Sequence, residues 1–266
     1  MSEFEVKNRY TLEDFVLLVR RLRDKENGCA WDRVQTHDSI RQNFIEEVYE
    51  AVDAIDKKDN IMLEEELGDV LLQVALHAEI AKEDDAFDIV DVVNTLCNKL
   101  VLRHPHIFSD TKADTSERVL ANWEDIKREE KEQTTATKAI EDLPNALPPL
   151  MKSQKVQKRA AYVGFDYPNL NYAISDLASE VEELKKAVAE GKDTAEEIGD
   201  IIFSAVNVAR LVDLDATLVA ERACDKFIER FRLVEKAAIE QNINMKECGI
   251  DVLNQLWNDA KDALNK

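Results

Sequence analysis

The sequence predicts an all-α fold built of two tandem helical bundle modules related by internal duplication. Three observations predict it. Only six glycines and five prolines interrupt 266 residues rich in Glu, Lys, Ala, Leu and Asp, a composition suited to long helices with short connections. The stretch EELGDVLLQVALHA (65–78) returns nearly unchanged as EEIGDIIFSAVNVAR (196–210), an apolar helix with Glu-x-Gly-Asp at its start. Other residues recur around it in the same order. Glu47 and Glu50 answer to Glu180 and Glu183 (offset 133), Glu66 and Asp69 to Glu197 and Asp200 (offset 131), Lys99 and Arg103 to Lys226 and Arg230 (offset 127), and Trp123 to Trp257 (offset 134). Offsets that drift by a few residues are what unequal loops produce between two copies of one unit.

Each copy reads in one element order. A segment with basic residues and an aromatic comes first, Arg20 to Trp31 or Lys155 to Phe165. A helix bearing the first acid pair follows. Helix 61–80 comes next, with Leu63, Leu67, Val70, Leu71, Leu72, Val74, Ala75, Leu76 and Ala78 spread around its circumference, the pattern of a helix covered on most sides. An amphipathic helix then ends on Lys99-x-x-x-Arg103 or Lys226-x-x-x-Arg230, and a last helical piece carries the tryptophan. His104-Pro105-His106 reads as a helix stop. Residues 131–150 shift to Thr, Ala and three prolines, and Pro148-Pro149 cannot sit inside a helix. The expected division is a module at 1–130, a linker at 131–150 and a module at 151–266. Helices joined by short loops pack antiparallel as a bundle.

Composition excludes several functions. A formal net charge of −20 argues against a nucleic-acid polymer as partner, because polyanions are held by clustered Lys and Arg. A polyanion as small as a nucleoside triphosphate stays open, since bound cations reverse the local field. The apolar runs near 70–78 and 201–209 are too short to span a bilayer, so no membrane is expected. Cys29, Cys97, Cys224 and Cys248 show no C-x-x-C spacing, which fits a reducing, cytoplasmic setting, and the first residues lack the apolar core of a signal peptide. No Gly-rich phosphate loop or nucleophile elbow is present. None of His37, His77, His104 and His106 has a Glu three residues before it, so the Glu-x-x-His of di-iron bundles is missing.

The carboxylates carry the chemistry. Acids are so common here that a lone i,i+3 pair has little weight; most such pairs are solvated helix faces. The second pair differs, because it lies on a helix that otherwise reads as core. Glu66, Asp69, Gln73 and His77 form one polar stripe along it, repeated as Glu197, Asp200, Ser204 and Asn207. Carboxylates on a covered helix are costly unless something positive compensates them, and facing them with two more worsens the field. Mg²⁺ resolves the conflict, since it takes carboxylate oxygens and keeps positions open for water and phosphate. Gly68 and Gly199 are expected to let a neighbouring backbone or a ligand approach closely. The opposing reading pairs these acids with Lys or Arg at a helix interface. Lys226 and Arg230 share a helix face, as do Lys99 and Arg103, and suit triphosphate oxygens; their alternative is ordinary salt bridging with Glu221 or Glu229. Trp257 and Trp123 read either as core or as platforms for a base.

The run GCAWDRVQTH (28–37), the blocks EEVYE (46–50) and EELGD (65–69), the string RHPHIF (103–108), and QKRAAYVGFDY (157–167) followed by EEIGD (196–200) together resemble MazG proteins, tandem-domain members of the all-α NTP pyrophosphatase superfamily. The family pattern E-E-x-x-E then E-x-x-D is complete in the first half as Glu46, Glu47, Glu50, Glu66 and Asp69. In the second half Ser179 stands at the first Glu position, with Glu180, Glu183, Glu197 and Asp200 retained. The resemblance implies Mg²⁺-dependent hydrolysis of NTP or dNTP to the monophosphate and pyrophosphate, usually by a homodimer. It places an Asn seven residues after the last Asp, met by Asn207 in the second half and replaced by Leu76 in the first. The second half is therefore the expected main site. There Glu180, Glu183, Glu197 and Asp200 would hold metal and carry catalysis, Lys226 and Arg230 phosphates, Lys192 reaching from the connecting loop, and Trp257 the base. The second possible site holds Glu46, Glu47, Glu50, Glu66, Asp69, Lys99 and Arg103. Two competing classes stand beside this reading: a helical module that binds nucleotide or protein without turnover, and a purely structural bundle.

Overall fold

A computed structural model of the chain describes residues 4–109 and 115–264. Among them all regular structure is helical, and the chain divides into two compact units, Met1–Lys127 and Arg128–Lys266.

In the first unit, α1 (Leu12–Leu22) begins at a capping box in which Thr11 accepts from the Asp14 amide and Asp14 from the Thr11 amide. A loop containing a short 3₁₀ turn (Asp32–Val34) leads to α2 (Arg41–Lys57), α3 (Asn60–Glu83), α4 (Ile89–Arg103) and α5 (Pro105–Phe108), followed by α6 (Ser116–Glu130). Lys58 turns left-handed at φ 56° and Asp59 caps the next helix through the Ile61 and Met62 amides, so α3 folds back along α2 after a two-residue turn. The core forms where α1 meets α3, from Val19, Ile40, Ala75, Leu76 and Ile80 with Phe15 and Leu72 against them. Gly28 is required by a close approach: a Cβ there would lie 2.4 Å from the Leu22 carbonyl oxygen.

The second unit contains α7 (Ala136–Glu141), α8 (Pro149–Ala161), α9 (Leu170–Glu190), α10 (Ala195–Leu211), α11 (Ala216–Glu240) and α12 (Gly249–Leu264). Gly191, at φ 69°, ends α9 and returns the chain as α10, which packs along α9 as α3 does along α2. Val234, Ala238, Leu256 and Ala260 form a second core between α11 and α12.

Residues 131–150, expected as a linker, carry structure of their own. Thr135 caps α7, Ala139 and Leu143 are buried, and α7 packs on α8. Pro149 opens α8, where its missing N–H would have had no partner. The expectation that the acid-bearing apolar helices are covered on most sides holds for only part of each. Ala75, Leu76, Ala78, Ile80 and Ala81 of α3 are buried, but Leu67 and Leu71 are exposed, as are Ile198, Ile202 and Phe203 of α10. Nor does a neighbouring backbone crowd Gly68 or Gly199, since a Cβ at either would meet nothing within 4 Å. No helix of the described residues is long and apolar enough to cross a membrane, and the four cysteines are free.

Candidate metal centre

The two-residue turn after α2 fixes the register in which its acids meet those of α3. Glu47, Glu66 and Asp69 each offer a carboxylate oxygen, and these oxygens lie within 4.8 Å of one another. In the second unit Glu180, Glu183 and Glu197 are gathered to the same limit. The i,i+3 spacing puts both members of each pair on one helix face, which is why two helices suffice.

The electrostatics of both clusters is unfavourable as it stands. Burial holds the Glu47 carboxyl above the usual range, helped by Asp69, Glu50 and Glu46. Glu66, only 8 % exposed, is raised by burial and by Glu50 and Asp69, and it shares a hydrogen bond with Glu50 that requires a proton between the two carboxyls. Glu180 is raised by burial, then by Glu183, Asp200, Asp176 and Glu197. Among the described residues no Lys or Arg pairs with Glu47, Glu50, Glu66, Asp69, Glu180, Glu183, Glu197 or Asp200. The salt-bridge reading of these acids therefore lacks its partners.

A hard divalent cation fits the donors present. Every ligand is a carboxylate oxygen, with neither thiolate nor imidazole in either cluster, the set that suits Mg²⁺ over Zn²⁺. Gln73, 6 % exposed, donates its side-chain N–H to Glu47, while its carbonyl Oε1 is buried without a hydrogen-bond partner. A neutral oxygen orphaned beside carboxylates is a further donor for a cation or its water.

The raised carboxyls make a pH dependence with a definite sign. In the metal-free protein their folded-state affinity for protons exceeds the unfolded one, so their contribution to stability grows as pH falls through the raised folded values. A cation competes with those protons. The rise in Tm produced by Mg²⁺ over EDTA is accordingly expected to shrink as pH is lowered from 8 toward the carboxylate range, which paired thermal melts measure. A rise independent of pH would mean that the cation binds elsewhere.

The remaining candidate residues lie as follows. Glu46 is exposed and hydrogen-bonded to Gln42 at 3.4 Å. Lys192 lies just past the end of α9, exposed and ion-paired with Glu190 at 2.6 Å. Lys99 and Lys226 are exposed on α4 and α11. Arg103 stacks over Trp123 with 5.4 Å to the ring centroid, and Arg230 over Trp257 at 5.8 Å, so the duplicated Arg–Trp pairs are the same contact made twice. Trp257 is half-buried against Phe227, 5.2 Å between centroids, and borders the α11–α12 core. Among the described residues, no ion pair joins Lys192, Lys226 or Arg230 to the four acids of their unit. His77, on the polar stripe of α3, turns to His37, with Nδ1 atoms 2.8 Å apart and rings stacked, rather than to the acids.

Four residues escaped the sequence reading, Asp166, Tyr167, Asp176 and Arg210, and Ser204 of the polar stripe meets one of them. Ser204 stands where the first unit has Gln73, and its Oγ donates to Asp176 at 3.0 Å. Tyr167 also donates to Asp176, and burial with that bond pushes its hydroxyl up to about 12. Arg210 reaches both Asn207 and Asp166. The only signals in the sequence were the i,i+3 step from Asn207 to Arg210 and the i,i+4 step from Asp176 to Glu180.

The profile of the MazG nucleotide pyrophosphohydrolase domain matches residues 35–108 and again 170–234. The chain is 39% identical over 254 residues to a nucleoside triphosphate pyrophosphohydrolase of Escherichia coli, covering 94% of this chain and 97% of that protein. It is 39% identical over 249 residues to the nucleoside triphosphate pyrophosphohydrolase/pyrophosphatase MazG of Thermotoga maritima, covering 94% and 95%. It is also 41% identical over 252 residues to YabN of Bacillus subtilis, covering 94% of this chain and 51% of that protein.

Proposed function

Because the chain belongs to the MazG nucleotide pyrophosphohydrolase family, we propose that it hydrolyses nucleoside and deoxynucleoside triphosphates to the monophosphate and pyrophosphate, with Mg²⁺ as cofactor. The observation that carries this reading is a carboxylate cluster, present twice, with no positive side chain paired to it among the described residues. Glu180, Glu183, Glu197 and Asp200 hold the cation in the second unit, where Asn207 is retained. When bound, Mg²⁺ supplies charge neutralisation at the phosphates and a water of lowered pKa. Water adds to the α phosphorus as the bond to the α–β bridging oxygen breaks, and pyrophosphate leaves. In this reading Lys226, Arg230 and Lys192 take the phosphate oxygens and Trp257 the base.

Leu76, 2 % exposed and part of the α1–α3 core, replaces Asn207 in the first unit. For that unit we favour the second reading, a module that binds nucleotide without turnover, with Glu47, Glu50, Glu66 and Asp69 as its cation ligands. The open apolar faces of α3, α4, α10 and α11 support a homodimer, and the free cysteines support action in the cytoplasm.

Pyrophosphate release from a panel of NTPs and dNTPs, with Mg²⁺ and with EDTA, tests the activity; release that persists in EDTA contradicts it. Binding also has a stability signature. At a free Mg²⁺ concentration of about 100 times Kd, linkage adds roughly 2.7 kcal/mol per site, which raises Tm by about 5–10 °C. An unmoved Tm excludes a cation site.

A further inference from the structure

Arg210, on α10 with Glu197 and Asp200, makes four side-chain hydrogen bonds, and its side chain is 9 % exposed. Its Nε and Nη2 both donate to Oδ1 of Asn207, at 2.8 and 2.6 Å. Its Nη1 donates to Asp166 Oδ2 at 3.0 Å, and Nη2 bonds the other oxygen of Asp166, making a fork. Asp166 is held well below the usual carboxylate range by Arg210 and also accepts from the Tyr167 amide at 2.8 Å. A guanidinium has donors only, so the amide atom facing it has to be the oxygen of Asn207. The N–H₂ group is thereby turned the other way.

The first unit has no such device. At the position of Asn207 stands Leu76, in the core, and at the position of Arg210 stands Glu79, paired with Arg20 at 3.3 Å. Polarity and charge are both altered there, so the arrangement is not a general requirement for folding this helix pair.

We infer that Arg210, braced by Asp166, is a positioning residue for the nucleotide: it fixes the amide of Asn207 so that N–H₂, and not the carbonyl, is presented as a donor to a substrate oxygen. The inference rests on the activity proposed above. Asn207 follows Glu197 and Asp200 along one stripe of α10, two turns beyond Asp200, or about 10 Å along the axis. The donor therefore falls on the nucleoside, at a sugar hydroxyl or a base carbonyl, rather than on oxygens gathered at the cation. With its carbonyl engaged by Arg210, Asn207 is excluded as a cation ligand.

The test is steady-state pyrophosphate release by the full chain at saturating Mg²⁺. Arg210→Ala and Asn207→Ala are each expected to raise KM about tenfold with kcat within threefold and the half-saturating Mg²⁺ unchanged. Arg210→Ala is expected to add little in the Asn207→Ala background, and Arg210→Lys to recover part of the loss. A KM penalty for Arg210→Ala that is undiminished in that background would make the residue merely structural and overturn the inference. Asn207→Asp leaves Arg210 its acceptor and so decides the matter even if Arg210→Ala does not fold. It should raise KM beyond Asn207→Ala, whereas unchanged KM with tighter Mg²⁺ would make Asn207 a cation ligand. Repeating Asn207→Ala with 2′,3′-dideoxynucleotides separates the two oxygens: the penalty vanishes for a sugar contact and persists for a base contact. If the wild type releases no pyrophosphate from any nucleotide, the proposed activity fails instead, and the same variants are read by equilibrium binding of an α,β-methylene triphosphate with Mg²⁺.

Discussion

Glu183→Ala and Asp200→Ala are each expected to lower kcat/KM for pyrophosphate release by about 10³-fold. Removal of groups that only support a metal's ligands costs 10–100-fold, and loss of a ligand or of a preorganised charge-stabilising group costs more. Both side chains are exposed and both press on Glu180, Asp200 from outside the gathered group, so their truncation removes negative charge without opening a core. The loss should therefore come with a Tm in EDTA that is unchanged or higher, because the repulsion on Glu180 is relieved. In the same assay Glu50→Ala, in the first unit, should leave kcat/KM within about threefold if the second unit performs the hydrolysis. Retained activity in either second-unit variant, or equal loss in Glu50→Ala, contradicts that assignment.

The second large effect is on stability. Arg23 is 4 % exposed and uses its whole fork: Nε and Nη2 on the Glu83 carboxylate at 2.7 and 3.1 Å, Nη1 on the Asp32 carbonyl at 2.6 Å, and Nη2 also on the Gln35 carbonyl at 3.2 Å. It thereby ties the loop between α1 and α2 to the end of α3. Arg23→Ala leaves two backbone carbonyls and a carboxylate without their donor, at a cost of about 3 kcal/mol, since truncating one partner of a buried pair is far more damaging than the net strength of the pair. The expected result is a Tm lower by about 10 °C for the first unit, followed by tryptophan fluorescence from Trp31 and Trp123. Pyrophosphate release at 25 °C should stay within about twofold. Arg23→Lys should fall between, because an ammonium cannot form the fork. A shift of less than about 2 °C in Arg23→Ala would show that water replaces these bonds freely.

The helical architecture and the tandem arrangement were legible because they rest on local signals: helix-forming composition, a repeated apolar helix with its acids, and motif order. The acid positions were legible for the same reason, since i,i+3 spacing defines a helix face without knowledge of tertiary packing. What the sequence could not disclose depends on contacts between elements distant in the chain. Asp166 and Arg210 are 44 residues apart, and Ser204 and Asp176 are 28 apart; the first bond exists only once the loop before α9 meets α10, and the second once α9 and α10 lie side by side. The coverage of the apolar helices was misjudged for a related reason. Periodicity reports that a face is apolar, as at Leu67, Leu71, Ile198 and Ile202, but says nothing of whether the covering surface comes from the same chain. The helices within and at the end of segment 131–150 were hidden by its prolines, which punctuate the ends of helices as readily as they exclude them.

The proposition that divalent cations balance these carboxylates is tested most directly by Mn²⁺ anomalous scattering from crystals grown with a non-hydrolysable triphosphate. The expected result is an anomalous peak at about 2.2 Å from oxygens of Glu180, Glu183, Glu197 and Asp200, with phosphate oxygens completing the coordination. Carboxylates turned to solvent, or clasped by Lys and Arg side chains with no anomalous peak among them, would contradict it.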